Sequence, residues 1–287
     1  MTECNVCFRH CRIHEGDLGF CKARTCKDGV IEPANYGRAT SIALDPIEKK
    51  PLNRFHPGEK ILSFGSYGCN LRCPFCQNDS ISWSNTVLET AKDSKYVSPR
   101  ELVNLALFYA DKEDNCGIAF TYNEPLISYE YIRDCAKISH QAGLVNVLVT
   151  NGTAEIEILE EILPYIDAMN IDLKSFNREY YEKTLGGNLD MTKAFIERAV
   201  KDCHVELTTL IVPDGNDTDD ELIEMCEWIS GLKNSKGKVI GKDIPLHISR
   251  FFPRFFMANK EATDVELIYH LKDVASKYLK YVYTGNC

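Results

Sequence analysis

The sequence predicts an α/β fold in which helices cover parallel strands, and three observations lead to it. From residue 61 onward, apolar segments of strand length alternate with segments of helical periodicity. The strand segments are almost continuously apolar, which is typical of parallel strands buried on both faces. The chain has 287 residues, 44% of them hydrophobic, so a sizeable core can form. A partly closed barrel and an open doubly wound sheet both fit this pattern.

Six strands are predicted, and each is a short apolar run between turn or helix signals. A seventh strand is expected at residues 281–283. In either architecture the carboxyl ends of these strands gather on one face, where binding sites form. In chain order, the six strands cover residues 61–64, 117–121, 144–150, 168–173, 205–212 and 246–249.

Helices are predicted between the strands. The first of them begins after Ser98, which can cap its N-terminus while Pro99 occupies the first turn and Glu101 completes a capping box. Its apolar side chains follow helical spacing and are Leu102, Leu105, Ala106 and Tyr109. The other helices are predicted at about residues 126–141, 154–163, 190–202, 218–231 and 264–278.

Residues 1–60 lack this alternation and are predicted to form a small Cys-rich module with a linker, leaving residues 61–287 as the main domain. Residues 45–58 contain three prolines and resemble a linker. So short a segment buries little apolar surface, and we expect a metal to stabilise it. Four cysteines are spaced as ligands of a closed tetrahedral zinc site or, equally, of an auxiliary iron–sulfur cluster; zinc is favoured, and Cys26 is a spare ligand. The four are Cys4, Cys7, Cys11 and Cys21.

A second cysteine motif follows the first predicted strand. Cys69, Cys73 and Cys76 form a CxxxCxxC, which can hold three corners of a [4Fe–4S] cluster and leave one iron without a protein ligand. A structural zinc site is the alternative, but zinc sites usually add a second CxxC or HxxxH pair, and residues 77–287 contain none. The spacing therefore favours an iron–sulfur cluster with one iron open to a substrate or cofactor.

Polar residues lie at or just beyond the ends of several predicted strands. Each has an ordinary structural interpretation: a surface acid, a turn asparagine, a solvated lysine or a buried histidine. Their shared position on the carboxyl-terminal face favours function, because random polar positions would seldom all fall there. The candidates are Glu124, Asn151, Asp172, Lys174 and His247.

Composition limits the partners and the compartment. The net charge is −9 and no long Lys/Arg cluster occurs, so nucleic acid is not an expected partner. The N-terminus lacks a signal pattern and no apolar run reaches membrane-spanning length, so we expect a cytoplasmic protein without a membrane partner. The chain has 13 cysteines, which we expect to be reduced. Cys287 is either a free terminal thiol or a reactive one. Four further cysteines are scattered along the chain, and we expect them to be buried as small apolar side chains: Cys116, Cys135, Cys203 and Cys226.

The CxxxCxxC with Phe75 before its last cysteine resembles the signature of the radical S-adenosylmethionine (SAM) superfamily. Residues 119–125 lie where that family has a Gly-Gly-Glu-Pro strand end. Further strand ends are similar to those of glycyl-radical-enzyme activases such as pyruvate formate-lyase activating enzyme: residues 150–152, 172–174 and 212–215, and His247. Over its whole length the chain is similar to the radical SAM member of the AmmeMemoRadiSam system, through residues 35–37, 44–51, 121–125 and 249–253.

The resemblance implies a partial (β/α)6 barrel of the TIM-like type and assigns roles to residues. It implies that the CxxxCxxC holds a [4Fe–4S] cluster, that Phe75 contacts the adenine of SAM and that Glu124 binds the SAM amino group. The sequence departs from the family at two places. Tyr122 and Asn123 stand where the family has two glycines, and Val149 stands where the activases have an acid near their monovalent cation site. The residues expected to bind the cofactor are Phe75, Gln77, Asn123, Glu124, Asn151, Asp172, Lys174 and His247.

Two functions follow. The first is a radical SAM enzyme, which cleaves SAM reductively to a 5′-deoxyadenosyl radical that abstracts hydrogen from a protein, such as a backbone glycine, or from a small molecule. It implies a one-electron donor such as flavodoxin or ferredoxin, a covered site and anaerobic conditions. The second is a non-catalytic iron–sulfur or zinc protein that relays electrons or stores metal. The second leaves the polar strand ends unexplained.

Residues 250–256 contain four Phe and two Arg directly after the last inner strand. A buried aromatic cluster is the ordinary interpretation. One short loop would not bury so many large side chains, and exposed aromatic and Arg side chains are frequent in contact surfaces. The segment is therefore a hypothetical docking site for the substrate.

Overall fold

A computed structural model describes residues 1–287, and an eight-stranded sheet lies at its centre. Seven of the strands are parallel and one edge strand is antiparallel, in the order β14-β13-β12-β11-β10-β9-β7-β6. The remaining six strands are short and pair outside this sheet. The strands are β1 (Thr2–Glu3), β2 (Arg12–Ile13), β3 (Arg24–Lys27), β4 (Val30–Pro33), β5 (Arg38–Ala39), β6 (Ser41–Pro46), β7 (Lys60–Gly65), β8 (Lys95–Tyr96), β9 (Asn115–Phe120), β10 (Val145–Thr150), β11 (Ala168–Asp172), β12 (His204–Ile211), β13 (Leu246–Arg250) and β14 (Val282–Gly285).

Helices lie between the consecutive parallel strands. The capping box at Ser98 and Glu101 is present at the start of α3, as predicted. No helix is both long enough and apolar enough to cross a membrane. The helices are α1 (Asp79–Ser82), α2 (Val87–Asp93), α3 (Pro99–Glu113), α4 (Tyr129–Gln141), α5 (Ile156–Ile162), α6 (Leu189–Ala199), α7 (Asp219–Ser230) and α8 (Val265–Ala275).

The predicted fold class is confirmed. Parallel strands connected by helices form a barrel that does not close, because β6 and β14 are separate edges of the sheet. All six predicted strands are present, and the seventh, β14, pairs in parallel with β13. Consecutive residues Ile118, Ala119 and Phe120 of β9 are all buried, which explains why the strands lack an alternating pattern.

The edge strand β6 was not predicted. It runs antiparallel to β7, with Ser41 opposite Gly65 and Pro46 opposite Lys60. Its polar residues and terminal proline suit an edge strand but weaken the sequence signal. The division of the chain at residue 60 stays a prediction, and β6 shows that residues 41–46 add a strand to the central sheet.

Residues 1–40 pack against the outside of the barrel rather than extending from it. The amide of Glu155, just before α5, donates to the carbonyl of Val6 (3.0 Å). Arg24 forms an ion pair with Glu130 of α4 (2.7 Å), and the Arg24 side chain is 5% exposed. A polar contact this deeply buried requires a defined docking geometry. The cysteines of this region therefore have a fixed position relative to the barrel.

Candidate active site

A cleft of about 690 Å³ opens at the carboxyl ends of the barrel strands. This volume is within the usual range for small-molecule sites. Every residue predicted to hold the cluster or to bind its cofactor lines this one cleft. They are Cys69, Cys73, Phe75, Cys76, Gln77, Asn123, Glu124, Asn151, Asp172, Lys174 and His247.

The cysteine loop follows β7 and begins with a constrained turn. Gly68 has φ of +93°, and a Cβ added there would lie 2.6 Å from the carbonyl oxygen of Cys21. Only glycine fits this backbone. Burial raises the pKa of Cys69 and of Cys76, and raises that of Cys73 to about 12. Irons bound to these sulfurs would keep them as thiolates, so the donor set suits an iron–sulfur cluster.

Glu124 follows β9 and is 3% exposed. Its carboxylate accepts hydrogen bonds from the Thr150 hydroxyl (2.6 Å), the Asn151 amide (2.8 Å) and the Leu126 amide (3.1 Å). Burial nevertheless raises the pKa of Glu124 to about 7. A carboxylate has about four acceptor positions, so roughly one remains for a cation in the cleft. A cationic ligand would favour the charged form that burial disfavours.

Asn151 connects the end of β10 to the cysteine loop. Its side-chain amide donates to Asn70 Oδ1 (2.9 Å), and its Oδ1 accepts from the Thr153 amide (3.0 Å). Asn70 Nδ2 in turn donates to the Thr153 carbonyl (3.0 Å). The network fixes the loop against the strand end, so Asn151 is a turn residue and a cleft residue at once.

Lys174 and Asp172 form an ion pair in the cleft wall, with 2.7 Å between Nζ and Oδ2. Burial alone would lower the pKa of Lys174, but the neighbouring Asp172 and Cys73 raise it. Lys174 is therefore a permanent positive charge beside the cysteine loop. The side-chain nitrogen lies where an anionic group of a ligand, or of a cluster, would be attracted.

His247 lies on β13 and is tied to a buried acid. Its Nε2 lies 2.7 Å from Oε2 of Glu206, and His204 Nε2 lies 3.0 Å from the other oxygen. The amides of Asn53 and Arg54 also donate to Glu206. Although burial favours the neutral acid, these hydrogen bonds lower the pKa of Glu206 to about 2.

The structure explains one departure from the family motif. Tyr122 stands in place of a family glycine and has φ of +72°, a conformation that costs a non-glycine residue about 1–2 kcal/mol. Its hydroxyl donates to Asp45 Oδ2 (2.7 Å), which also pairs with Lys50 (2.8 Å). The Asn123 side chain holds the cysteine loop in place: its Nδ2 donates to the Gly68 carbonyl and its Oδ1 accepts from the Ser66 amide.

Three of these residues were not predicted for the site. Glu206 is a fully buried charge inside a strand, a rare pattern that the sequence could have signalled. Lys50 lines the cleft, and Asp45 fixes it there. Both belong to residues 44–51, whose similarity to relatives was noted but whose position beside the barrel mouth required the structure.

The aromatic segment after β13 lies against the cysteine loop. The Phe256 amide donates to the Pro74 carbonyl (3.0 Å). The rings of Phe255 and Phe256 pack on Trp83 at centroid distances of 4.8 and 5.5 Å, and Phe256 is 70% exposed. Phe251 is buried, so only part of the segment offers a surface.

The N-terminal cysteines line a separate cavity. Cys4, Cys7, Cys11 and Cys21 all belong to its wall, so the four predicted metal ligands lie together, and their binding of a metal stays a prediction. Cys26 does not, and its sulfur lies near Thr2 and Glu15. Cys287 is exposed, and the preceding Asn286 lines the active-site cleft. Val149 also lines the cleft, at the position where the activases have an acid.

Comparisons with known proteins agree with this geometry. A family model for the radical SAM superfamily matches residues 64–229. An uncharacterized protein of Methanocaldococcus jannaschii is 38% identical over 99% of this chain and 81% of its own length. The pyruvate formate-lyase 1-activating enzyme of Escherichia coli is 25% identical over 62% of this chain and 71% of its own length.

Solved structures share the fold. A radical SAM methyltransferase from Sphaerobacter thermophilus superposes with a TM-score of 0.57 at 15% identity, covering 80% of this chain and 67% of that one. Streptococcus suis SuiB gives a TM-score of 0.56 at 12% identity, covering 78% and 48% respectively. At such identities the likeness concerns the barrel alone.

Proposed function

Because the chain belongs to the radical SAM superfamily, we propose that it is an enzyme that cleaves SAM and uses the resulting radical to abstract a hydrogen atom from a protein or small-molecule substrate. The observation that carries the proposal is the convergence of the CxxxCxxC cysteines and the buried Glu124 carboxylate on one cleft. Together they supply a cluster site and an acceptor for an ammonium group.

Cys69, Cys73 and Cys76 would hold the [4Fe–4S] cluster. When bound, the cluster supplies the electron that breaks the C5′–S bond of SAM, giving methionine and a 5′-deoxyadenosyl radical. The chain's own contribution is position and exclusion of water. Its loop is anchored on both sides, because the Glu124 amide donates to Gly68 O and the Arg72 amide donates to Leu185 O.

The remaining cleft residues would position SAM. Glu124 would accept from its ammonium group, and Lys174 would attract its carboxylate as a point charge. Phe75 lies in the loop at the position whose backbone contacts adenine in the family, and Asn151 can offer its amide to a ribose hydroxyl. Asp172, Gln77, Asn123 and His247 complete the predicted set, with His247 held by Glu206.

The substrate is proposed to be a protein segment, with a small molecule as the alternative. An exposed Phe256 beside the cysteine loop would give such a segment an apolar contact next to that loop. A glycyl residue of a partner enzyme is the substrate that similarity to the activases suggests. A low-potential carrier such as flavodoxin or ferredoxin would supply electrons, in the cytoplasm.

Anaerobic SAM cleavage tests the proposal. The reconstituted protein, reduced with dithionite and given SAM, should form 5′-deoxyadenosine and methionine in equal amounts. A protein that binds and reduces its cluster yet forms no 5′-deoxyadenosine would instead be a non-catalytic electron-transfer protein. Adding peptides that contain a central glycine should then raise the rate if the substrate is a protein segment.

A further inference from the structure

The four N-terminal cysteines surround a cavity that is larger than the space between the sulfurs of a zinc site. Their cavity, lined also by Arg9, Arg24 and Asn70, admits a sphere of the size of a water molecule. Zinc holds each sulfur at about 2.3 Å. Four sulfurs that close to one centre leave no room for such a sphere. The cavity therefore suits a larger group than a single ion.

The spacing of the sulfurs supports the same conclusion. Around tetrahedral zinc, neighbouring sulfurs lie about 3.8 Å apart, which follows from the bond length. In only one trio of His, Cys, Asp or Glu side chains do all ligand atoms lie within 4.8 Å of one another. This trio is His56, Glu59 and Cys116. No three of the N-terminal cysteines meet that limit, and neither do the three of the CxxxCxxC. Neither set therefore has the close spacing of a tetrahedral zinc site, whereas a four-iron cluster, which places an iron between each sulfur and the centre, takes more widely spaced sulfurs.

An unpaired buried donor also lines the cavity. Arg24 is 4% exposed, and its Nη1 donates to both carboxylate oxygens of Glu130 (2.7 Å each). Its Nε has no partner in the chain. A buried N–H without an acceptor is costly. A cluster sulfur in the cavity would accept this hydrogen bond, and the guanidinium would offset the cluster's negative charge.

The cavity lies beside the CxxxCxxC. The Cys69 amide donates to the Cys21 carbonyl (3.2 Å), so one cysteine of each set is in direct backbone contact. Arg9 Nε donates to the carbonyl of Asn70, the residue after Cys69, at 2.7 Å. Arg9 also stacks on Phe20, next to Cys21, at 3.4 Å. The two sets therefore adjoin each other through the backbone of Cys21 and Cys69.

We propose that Cys4, Cys7, Cys11 and Cys21 bind a second [4Fe–4S] cluster and that it passes single electrons to the first. An external low-potential one-electron carrier reduces the second cluster from the 2+ to the 1+ state. The electron then moves to the first cluster, which goes from 2+ to 1+ while the second returns to 2+. No bond forms or breaks. The electron transfer between the clusters rests on the proposed function of the CxxxCxxC. The identity of the group bound by the N-terminal cysteines does not depend on that function.

Metal content tests the identity of the second group independently of SAM. The test variant is Cys69→Ala/Cys73→Ala/Cys76→Ala, reconstituted anaerobically with iron and sulfide. It should bind about four irons, and the spectrum of its reduced cluster should not change when SAM is added. One zinc with no iron, or no metal in a folded variant, overturns the proposal. Because this variant cannot cleave SAM, its result is separate from the success or failure of the proposed function.

A second measurement protects against misfolding of that variant. The unmodified protein should bind about eight irons and Cys7→Ser/Cys11→Ser about four. The control Cys26→Ser should keep about eight, because Cys26 lies outside the cavity. In the fully reduced protein, two adjacent paramagnetic clusters should split each other's electron paramagnetic resonance lines. A spectrum equal to the sum of the two single-cluster variants would overturn the relay.

Discussion

The cleft and the predicted N-terminal module both contain several cysteines, but different physical features bring these cysteines together. In the cleft, side chains from separate strands between residues 69 and 247 meet because parallel strands end on one face. In the module, four cysteines from residues 4–21 surround a cavity beside two strands of two residues each. The barrel creates the first site, whereas the second has little secondary structure to create it.

This difference predicts opposite dependence on metal. Buried strands and covering helices should keep the barrel folded when its cluster is lost, so damage to the cleft should affect chemistry. The module should lose order without its metal, because a bound metal adds its binding free energy to that of folding.

The largest effect is expected from Cys73→Ala. Two thiolates cannot hold the cluster, so 5′-deoxyadenosine formation should fall below detection while the far-ultraviolet circular dichroism spectrum is retained. Cys226→Ala, a buried cysteine of α7 far from either set in sequence, is the control and should retain activity. SAM cleavage by Cys73→Ala under dithionite would refute the assignment of the cluster.

The Cys7→Ser/Cys11→Ser variant tests the module. Loss of its metal should expose residues 1–40 to limited proteolysis, while β6 stays paired with β7 and the spectrum of the cluster at the CxxxCxxC persists. Mass spectrometry of the fragments locates the cuts, and Cys26→Ser serves as the matched control. If residues 1–40 stayed protected after the metal was lost, the contrast between the two regions would be wrong.

Glu206→Gln tests how residues 53 and 54 are attached to the barrel. Removing one partner of a buried ionic network should cost about 3–5 kcal/mol of unfolding free energy at pH 7. Because the pKa of Glu206 is lowered from 4.5 to about 2, the stability from its charge is present above pH 4.5 and is lost as the pH falls toward 2.

Urea unfolding of metal-free protein measures this effect without acid loss of the clusters. The difference between the parent protein and Glu206→Gln should narrow as the pH falls below 4.5. Glu113→Gln removes an exposed ion pair with Lys60 and should change stability by less than about 1 kcal/mol. A difference that stays constant with pH would mean that the Glu206 charge is not the source of the stability.

A smaller effect is expected from Glu124→Gln. Loss of the charge removes an interaction of about 1.5–3 kcal/mol with the SAM ammonium, so the dissociation constant should rise roughly tenfold to a hundredfold. Because the pKa of Glu124 is about 7, SAM affinity of the parent protein should also rise with pH through this value, as the carboxylate becomes charged. Calorimetric titration against Glu89→Gln, an exposed acid of α2, checks both; unchanged affinity would place Glu124 outside the SAM site.

The sequence was sufficient for the barrel and for most of the cleft, and the reason is physical. Continuous apolar strands, the capping box at Ser98 and residues at successive strand ends are local patterns, and the topology of parallel strands then brings those ends together. Edge strand β6 was missed because its pairing with β7 is non-local and its sequence is partly polar. The aromatic segment was only half predictable, since burial of Phe251 and exposure of Phe256 depend on packing.

Contacts between distant polar groups were beyond the sequence. The acceptor of the Tyr122 hydroxyl, Asp45, lies on an antiparallel edge strand, and His247 contacts Glu206 from the neighbouring strand β13. The choice between zinc and a cluster was also undecided by spacing, because both use four cysteines at short intervals. The cavity between the four cysteines, the lack of any trio of their sulfurs within 4.8 Å and the unpaired Arg24 nitrogen favour the cluster.

The most direct test of the central claim, that the two cysteine sets have different tasks, is the response of each reduced cluster to SAM. Electron paramagnetic resonance spectra are recorded with and without SAM for Cys7→Ser/Cys11→Ser and for Cys69→Ala/Cys73→Ala/Cys76→Ala. We expect SAM to shift the spectrum of the first variant and to leave that of the second unchanged. A SAM-dependent shift in the second variant, or none in the first while its cluster is intact, would contradict this claim.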